Sequence, residues 1–243
     1  YWENKESQIS EPFTYEYADG WSNLWEYAYT INYMLFLLLA ISLANVFSVE
    51  YYRKTDAIIL CSKYGKKQLY FSKILAGITF SVVSAVLLFI ATLLSSVFVY
   101  GTNGFHAALQ LIFPFSSWNI SVGGSILILF FSLIAISVLY GCVIMLLSAI
   151  LKSNVAVMAV PVGIMILTMM VDVPYQFRLA SQVYDLLPTN LLNTTELWDD
   201  RLICILGRYF TNFQIAPFLY LVFAVLLILV GMVIYQRHQV QAR

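Results

Sequence analysis

Long stretches without a charged residue constrain this chain more than any other feature of its sequence. No Asp, Glu, Lys or Arg occurs within residues 27–49, 74–151, 153–171 or 209–236. A charge at the centre of a bilayer costs at least ~2.5 kcal/mol. Soluble domains carry about 25% charged residues, whereas this chain carries 11%. The sequence therefore predicts that these stretches cross a membrane.

The lengths of the stretches set the number of crossings. Roughly 20 helical residues span the ~30 Å hydrocarbon core of a bilayer. The stretch 74–151 must therefore hold two crossings, and turn-forming residues at 100–104 and 114–119 mark the break between them. We predict an all-α, polytopic helical membrane protein. Its five spans in this chain lie at about 29–49, 70–99, 122–150, 154–173 and 214–236.

Charges outside the spans indicate the orientation. One alternating set of connections, together with the C-terminal tail, holds most of the basic residues: Arg53, Lys54, Lys63, Lys66, Lys67, Lys73, Lys152, Arg237 and Arg243. The other set carries most of the acidic ones. By the positive-inside rule the first set is cytoplasmic. We therefore predict a multi-pass protein of the cell membrane with a cytoplasmic C-terminus, and with residues 1–28 and about 174–213 outside.

The N-terminal residues add an expectation about the complete protein. The first 26 residues contain no methionine and no signal-peptide pattern, although the predicted orientation puts Tyr1 outside the cell. An upstream segment must have delivered them. We expect one further transmembrane helix before Tyr1, which would give six spans in all; the alternative is a cleaved signal peptide.

The connection between the first two spans, residues 50–69, has the signals of a short cytoplasmic helix. Thr55 is a good N-cap, Asp56 suits the positive end of the helix dipole, and Gly65 suits the position just after the last turn. These signals predict a helix over about 56–64. A helix this short and this apolar must pack against another surface. From the residues alone, that surface is either the lipid headgroup layer or a partner protein.

A family resemblance favours the partner protein. Glu50 ends one span, and Thr55 opens the short helix. Leu60 follows Thr55 within that helix, and Lys73 begins the next span. This pattern, with the order of long and short spans over nearly the whole chain, resembles the permeases of type-2 ABC transporters. The chain departs from the family where Lys54 replaces a glycine that often precedes the threonine. It also lacks the proline that often follows the leucine.

The resemblance implies a set of partners and of coupling residues. The short helix would dock onto a separate ABC ATPase subunit, which binds ATP and magnesium, so this chain would need no cofactor. Two permease copies, or one copy and a homologue, would pair in the membrane lipid. The implied coupling residues are Glu50, Thr55, Ile59, Leu60, Tyr64 and Lys73. Ile59 and Leu60 would make the apolar contacts, and Glu50 would hold the helix end.

Two further segments carry structural predictions. Pro161 and Gly163 interrupt the fourth span and form a possible hinge, although membrane helices also tolerate such residues without bending. Half-buried helices are predicted in the outer segment. Thr189 suits a helix cap, and the apolar residues that suit the buried faces are Leu191, Leu192, Trp198, Leu202, Ile203 and Leu206. The resemblance implies that these helices dip back into the outer leaflet. The alternative is an interfacial pair without a gating role.

The chain lacks the patterns of several other protein classes. Its two histidines, His106 and His238, lie outside the spans, and no metal-site, nucleophile or phosphate-loop motif is present. Its three cysteines have no paired spacing, and zero net charge argues against nucleic acid. We therefore predict no enzyme. The resemblance implies instead the transmembrane subunit of an ATP-driven exporter, and the scarcity of charge in the spans favours an amphipathic peptide or another hydrophobic compound as cargo. The alternatives are a non-transporting sensor or assembly subunit, or a secondary transporter.

Overall fold

The computed structural model describes residues 19–53, 67–114, 116, 118–151, 153–171, 173–174, 176–193, 202–205 and 207–237. Its helices are α1 (Asp19–Leu43), α2 (Asn45–Tyr52), α3 (Gln68–Tyr100), α4 (Val122–Ile150), α5 (Asn154–Met170), α6 (Arg178–Asp185) and α7 (Asn212–Arg237). A short 3-10 helix covers Leu109–Leu111, and two strands, β1 (Leu202–Ile205) and β2 (Arg208–Thr211), form a hairpin.

Four helical stretches in the described residues are long and apolar enough to cross a membrane. They cover Gly20–Glu50, Gln68–Tyr100, Val122–Ile150 and Asn212–Gln236. These ranges confirm the predicted helices at 29–49, 70–99, 122–150 and 214–236. The fifth predicted span appears as α5, an apolar helix of 17 residues. At about 1.5 Å per residue α5 is roughly 25 Å long, slightly less than the hydrocarbon core.

The first long helix differs from its prediction at both ends. It is already helical at Asp19, because Trp21, Leu24 and Trp25 give its first turns a buried apolar face while Glu26 stays exposed. Near its other end the helix is interrupted at Ala44, where α1 stops and α2 begins. Neither proline nor glycine stands at this position, so the interruption needs another cause, described below.

The outer segment corrects part of the helical prediction. Leu202 and Ile203 lie in β1 rather than in a helix, and Leu202 pairs with Thr211 of β2. Gly207 has a φ of 78° in the connection between the strands, and such a backbone favours a tight turn. Leu191 and Leu192 are buried, but they lie in turns. Trp198 and Leu206 lie outside the described residues. The β-branched and aromatic residues of 203–210 explain the strand preference.

Helix α6 has its apolar face outward. Leu179 and Val183 are 79% and 64% exposed, whereas Ser181, Gln182 and Asp185 are at most 8% exposed. A helix facing water shows the opposite arrangement, with its polar face outside. In α6 the polar side chains are therefore turned toward the protein and the apolar side chains away from it.

The described residues fall into two compact units, and each contains parts of the long helices. Unit 1 comprises described residues within 1–33, 86–133 and 173–218. Its aromatic side chains make specific contacts: Trp21 Nε1 donates to the Asn103 carbonyl at 2.8 Å, and Trp25 packs edge-on against Phe113. Such contacts bury indole rings while satisfying at least one ring N–H.

Unit 2 comprises described residues within 34–85, 134–172 and 219–243. Small residues let its helices approach closely. A Cβ atom at Gly141 would collide with Ser81, and one at Gly77 would collide with Met145. Close packing of this kind is what associates helices in lipid, where burial of apolar surface gives little driving force.

Candidate functional site

An ion pair lies where α2 ends and α3 begins, on either side of residues 54–66. The Lys73 ammonium group binds the Glu50 carboxylate and also donates to the Val46 carbonyl at 2.7 Å. The two charged side chains are only 19% and 11% exposed. With so little exposure to solvent, the ammonium group and the carboxylate stabilise each other, since an unpaired charge in an apolar environment is costly. We use the name loop base for this pair together with the residues that fix its ends to other helices, described below: Val46, Phe47, Ser48, Tyr70, Ser148 and Tyr235.

An aromatic cluster lies next to the ion pair. The Lys73 Nζ atom lies 4.8 Å from the centre of the Phe47 ring, a cation–π distance. Phe47 is fully buried between Tyr70 and Tyr235, at centroid distances of 5.7 and 5.5 Å. This cluster joins α2, α3 and α7 at the loop base.

A hydroxyl–carbonyl bond fixes the aromatic cluster to α7. The Tyr70 hydroxyl donates to the Ile228 carbonyl at 2.8 Å. The approach needs Gly231 one turn further on, because a Cβ there would lie 2.5 Å from the Tyr70 oxygen. A glycine in an apolar helix therefore has a specific use here, although intrinsic propensity disfavours it.

Ser148 of α4 explains the interruption at Ala44. Its Oγ accepts hydrogen bonds from the backbone N–H groups of Phe47 and Ser48, at 3.0 and 3.1 Å, and donates to the Ala44 carbonyl at 2.7 Å. One donor and two acceptor positions are all that a hydroxyl offers, so this oxygen is fully used. Ser148 thus caps the first turn of α2 from a neighbouring helix, in the way that an N-cap side chain does.

A second serine strengthens the same joint. The Ser48 hydroxyl donates to the Ala44 carbonyl at 2.7 Å and lies 3.4 Å from the Asn154 side-chain oxygen at the start of α5. The loop base therefore touches α2, α3, α4, α5 and α7, all through residues of unit 2. Both ends of the connection 54–66 are held in one network of hydrogen bonds and ring contacts.

The structure brings together two of the predicted coupling residues. Glu50 and Lys73 form the ion pair, whereas Thr55, Ile59, Leu60, Tyr64 and the predicted helix 56–64 lie outside the described residues. The possible hinge is apart from this site: Pro161 is buried inside the continuous helix α5, and Gly163 faces open space. Whether these two residues act as a hinge stays a prediction.

Sequence reasoning did not identify four residues of the loop base: Phe47, Tyr70, Ser148 and Tyr235. A signal existed for Phe47 only, because it lies three residues before Glu50 and so on the same helix face. Ser148 is one of many serines in apolar helices, and its contact with α2 joins residues about a hundred positions apart. Within the described residues no group of three or more His, Cys, Asp or Glu side chains could hold a metal ion.

Comparisons with known proteins identify no relative of the chain. No family model matches it, and neither a curated protein nor a solved structure is significantly similar to it. Function is therefore inferred from the residues and from the geometry of the loop base.

Replacing Ser148 tests the cap. We expect Ser148→Ala to lower the thermal unfolding midpoint in detergent, because it leaves two buried N–H groups without an acceptor, at about 1–3 kcal/mol for a buried unsatisfied group. Ser137→Ala is the matched control: Ser137 is equally buried in α4, but its hydroxyl donates to the Ile134 carbonyl of its own helix. Equal losses in the two variants would contradict the assigned role of Ser148.

Proposed function

We propose that this chain is a transmembrane subunit of an ATP-driven exporter. The connection between α2 and α3 would dock onto a separate ABC ATPase subunit, and two permease copies, or one copy and a homologue, would enclose the transport path. The chain itself performs no reaction. ATP and magnesium would bind to the partner subunit. The C-terminus and the loop base would lie on the cytoplasmic side.

The loop base is the observation that carries the proposal. A coupling element must convert a push on a small segment into movement of transmembrane helices, so it has to be fixed firmly to them. The Glu50–Lys73 pair closes the ends of the connection 54–66, and the contacts of Phe47 and Ser148 link those ends to further helices. A loop that served only as a lipid anchor would not require such a network.

The charge pattern supports a cytoplasmic position for the docking segment. Arg53 and Lys67, at the two described edges of the connection, are exposed. Together with the basic residues of 54–66 they favour a cytoplasmic position. Apolar Ile59 and Leu60 in the middle of this basic segment suit a groove on a protein surface.

The outer segment supports a re-entrant element. In α6 the polar residues are buried and the apolar residues are exposed, as expected for a helix that dips into the outer leaflet with lipid on its outer face. We propose that α6 and the segment after it reduce access to the transport path from the outside.

The near absence of charge in the long helices supports a cargo with apolar groups. An apolar path does not repay the cost of removing water from an ion, whereas it accepts apolar side chains or acyl groups. We therefore propose an amphipathic peptide or another hydrophobic compound as cargo.

Co-purification of a partner tests the proposed function. The full-length protein is isolated from native membranes as wild type, as Ile59→Asp and as Leu60→Asp, and bound proteins are identified together with ATPase activity. We expect the wild type to retain a nucleotide-binding subunit. Each aspartate variant should lose most of it, because a carboxylate replaces an apolar contact in the docking groove.

Thr102→Asp is the control for added charge, because Thr102 is exposed in the connection after α3 and far from residues 54–66 in sequence. It should retain the partner, and all variants should reach the membrane in equal amounts. Recovery of the intact protein without any ATPase would contradict the exporter proposal. It would favour a sensor or assembly subunit whose basic loop contacts lipid.

Labelling of α6 tests the re-entrant element. In protein with Cys61 and Cys204 replaced by serine, Leu179→Cys and Val183→Cys should react slowly with a membrane-impermeant maleimide. A fluorophore attached there through a permeant reagent should be quenched by lipids that carry a quencher in their acyl chains. Thr102→Cys, the water-exposed comparison, should show rapid labelling and little quenching. Rapid labelling of Leu179→Cys would show that α6 faces water.

A further inference from the structure

The joint between α1 and α2 is made by side chains of two helices. In an uninterrupted helix the N–H groups of Phe47 and Ser48 bind the carbonyl groups four residues earlier. Here both N–H groups donate to Ser148 Oγ of α4, at 3.0 and 3.1 Å. The Ala44 carbonyl accepts from two hydroxyl groups, those of Ser48 and Ser148, each at 2.7 Å. Hydroxyl groups therefore replace the helical hydrogen bonds at this joint.

A second set of hydrogen bonds is open to the same groups. When α1 and α2 join into one helix, the N–H groups of Phe47 and Ser48 bind the backbone carbonyls four residues earlier. The Ser148 hydroxyl then donates within α4 to the Ile144 carbonyl. The Ser132 hydroxyl of the same helix already bonds in this way, to the carbonyl four residues before it at 2.8 Å. Two N–H donors and one hydroxyl donor are thus paired in both arrangements.

We propose that the joint at Ala44 is a hinge with two arrangements. In the interrupted arrangement, which the structure shows, Ser148 holds the helix open. In the uninterrupted arrangement α1 and α2 form one helix, and the Ser148 hydroxyl bonds within α4. Because the same donors are paired in both, the two arrangements are close in free energy and both are populated.

The contacts around the joint determine what moves with α2. The Glu50 carboxylate is paired with Lys73, so the end of α2 and the start of α3 move together. The tie to α5 is weaker, because the Ser48 hydroxyl lies 3.4 Å from the Asn154 side-chain oxygen. Any partner that binds residues 54–66 more tightly in one arrangement shifts the population toward that arrangement. The hinge itself does not depend on the transport proposal.

The distance between two spin labels, one on α1 and one just after α2, tests the hinge. Met34→Cys and Arg53→Cys place the labels at exposed positions of the full-length protein in lipid nanodiscs. The background carries serine at Cys61 and Cys204 and alanine at the buried Cys142. In an uninterrupted helix the two labelled Cα atoms lie about 28 Å apart. We expect pulsed electron paramagnetic resonance to show two distance components, one of them at the separation of an uninterrupted helix.

Ser148→Ala in the labelled protein is the decisive variant. It removes the acceptor that holds the helix open, and closing the helix pairs the two N–H groups again. The interrupted arrangement loses three hydrogen bonds and the uninterrupted one loses a single bond, so the ratio of uninterrupted to interrupted protein should rise roughly tenfold. Ser137→Ala is the matched control, because the Ser137 hydroxyl donates within α4. It should leave the distance distribution unchanged.

Two results overturn the proposal. One is a distance distribution of Ser148→Ala equal to that of Ser137→Ala, and the other is a shift of Ser148→Ala away from the separation of an uninterrupted helix. If Ser148→Ala does not fold, Ser48→Ala decides. This variant removes one of the two hydroxyl groups on the Ala44 carbonyl, which in the uninterrupted helix binds the N–H group of residue 48 instead. It should therefore also favour the uninterrupted component, and a distribution equal to that of Ser137→Ala overturns the proposal.

Discussion

An ammonium group at the start of a long apolar helix must find oxygen atoms to bind, and the loop base is built around this requirement at Lys73. Glu50 and the Val46 carbonyl supply the oxygens, and the Phe47 ring covers a further side of the charge. Because Val46, Phe47 and Glu50 all belong to α2, satisfying Lys73 also fixes α2 against α3. The ends of the connection 54–66 are thereby held together.

Buried polar groups elsewhere in the protein also require hydrogen-bond partners, and this requirement explains contacts between residues far apart in sequence. Ser148 supplies an acceptor for the N–H groups at the start of α2 and a donor for the Ala44 carbonyl, so that the helix can be interrupted without leaving them unpaired. The Tyr70 hydroxyl reaches the Ile228 carbonyl, and the Asn32 amide reaches the Pro188 carbonyl. In an apolar chain each such bond is specific, because few competing partners are present. A small number of polar side chains therefore determines how the helices meet.

The sequence predicted the long helices well, because the absence of charge over some twenty residues is a strong and local signal. It did not predict the interruption at Ala44, since Ser148 acts from another helix. Nor did it predict the strands at 202–211, where apolar residues suited either a helix or a hairpin. Glu50 and Lys73 were identified through a family resemblance, but only the structure showed that they form an ion pair. The sequence also did not indicate that the packing of α6 buries Asp185.

We propose that residues 54–66 dock onto an ATPase subunit, and site-specific photo-crosslinking in native membranes is the most direct test of this contact. A photoreactive amino acid replaces Leu60 in the full-length protein, and the crosslinked products are identified by mass spectrometry. A second probe replaces Leu94, an exposed residue of α3, and serves as the control. We expect the probe at position 60 to crosslink to a nucleotide-binding subunit and the probe at position 94 not to do so. Crosslinks from position 60 to lipid alone would contradict it.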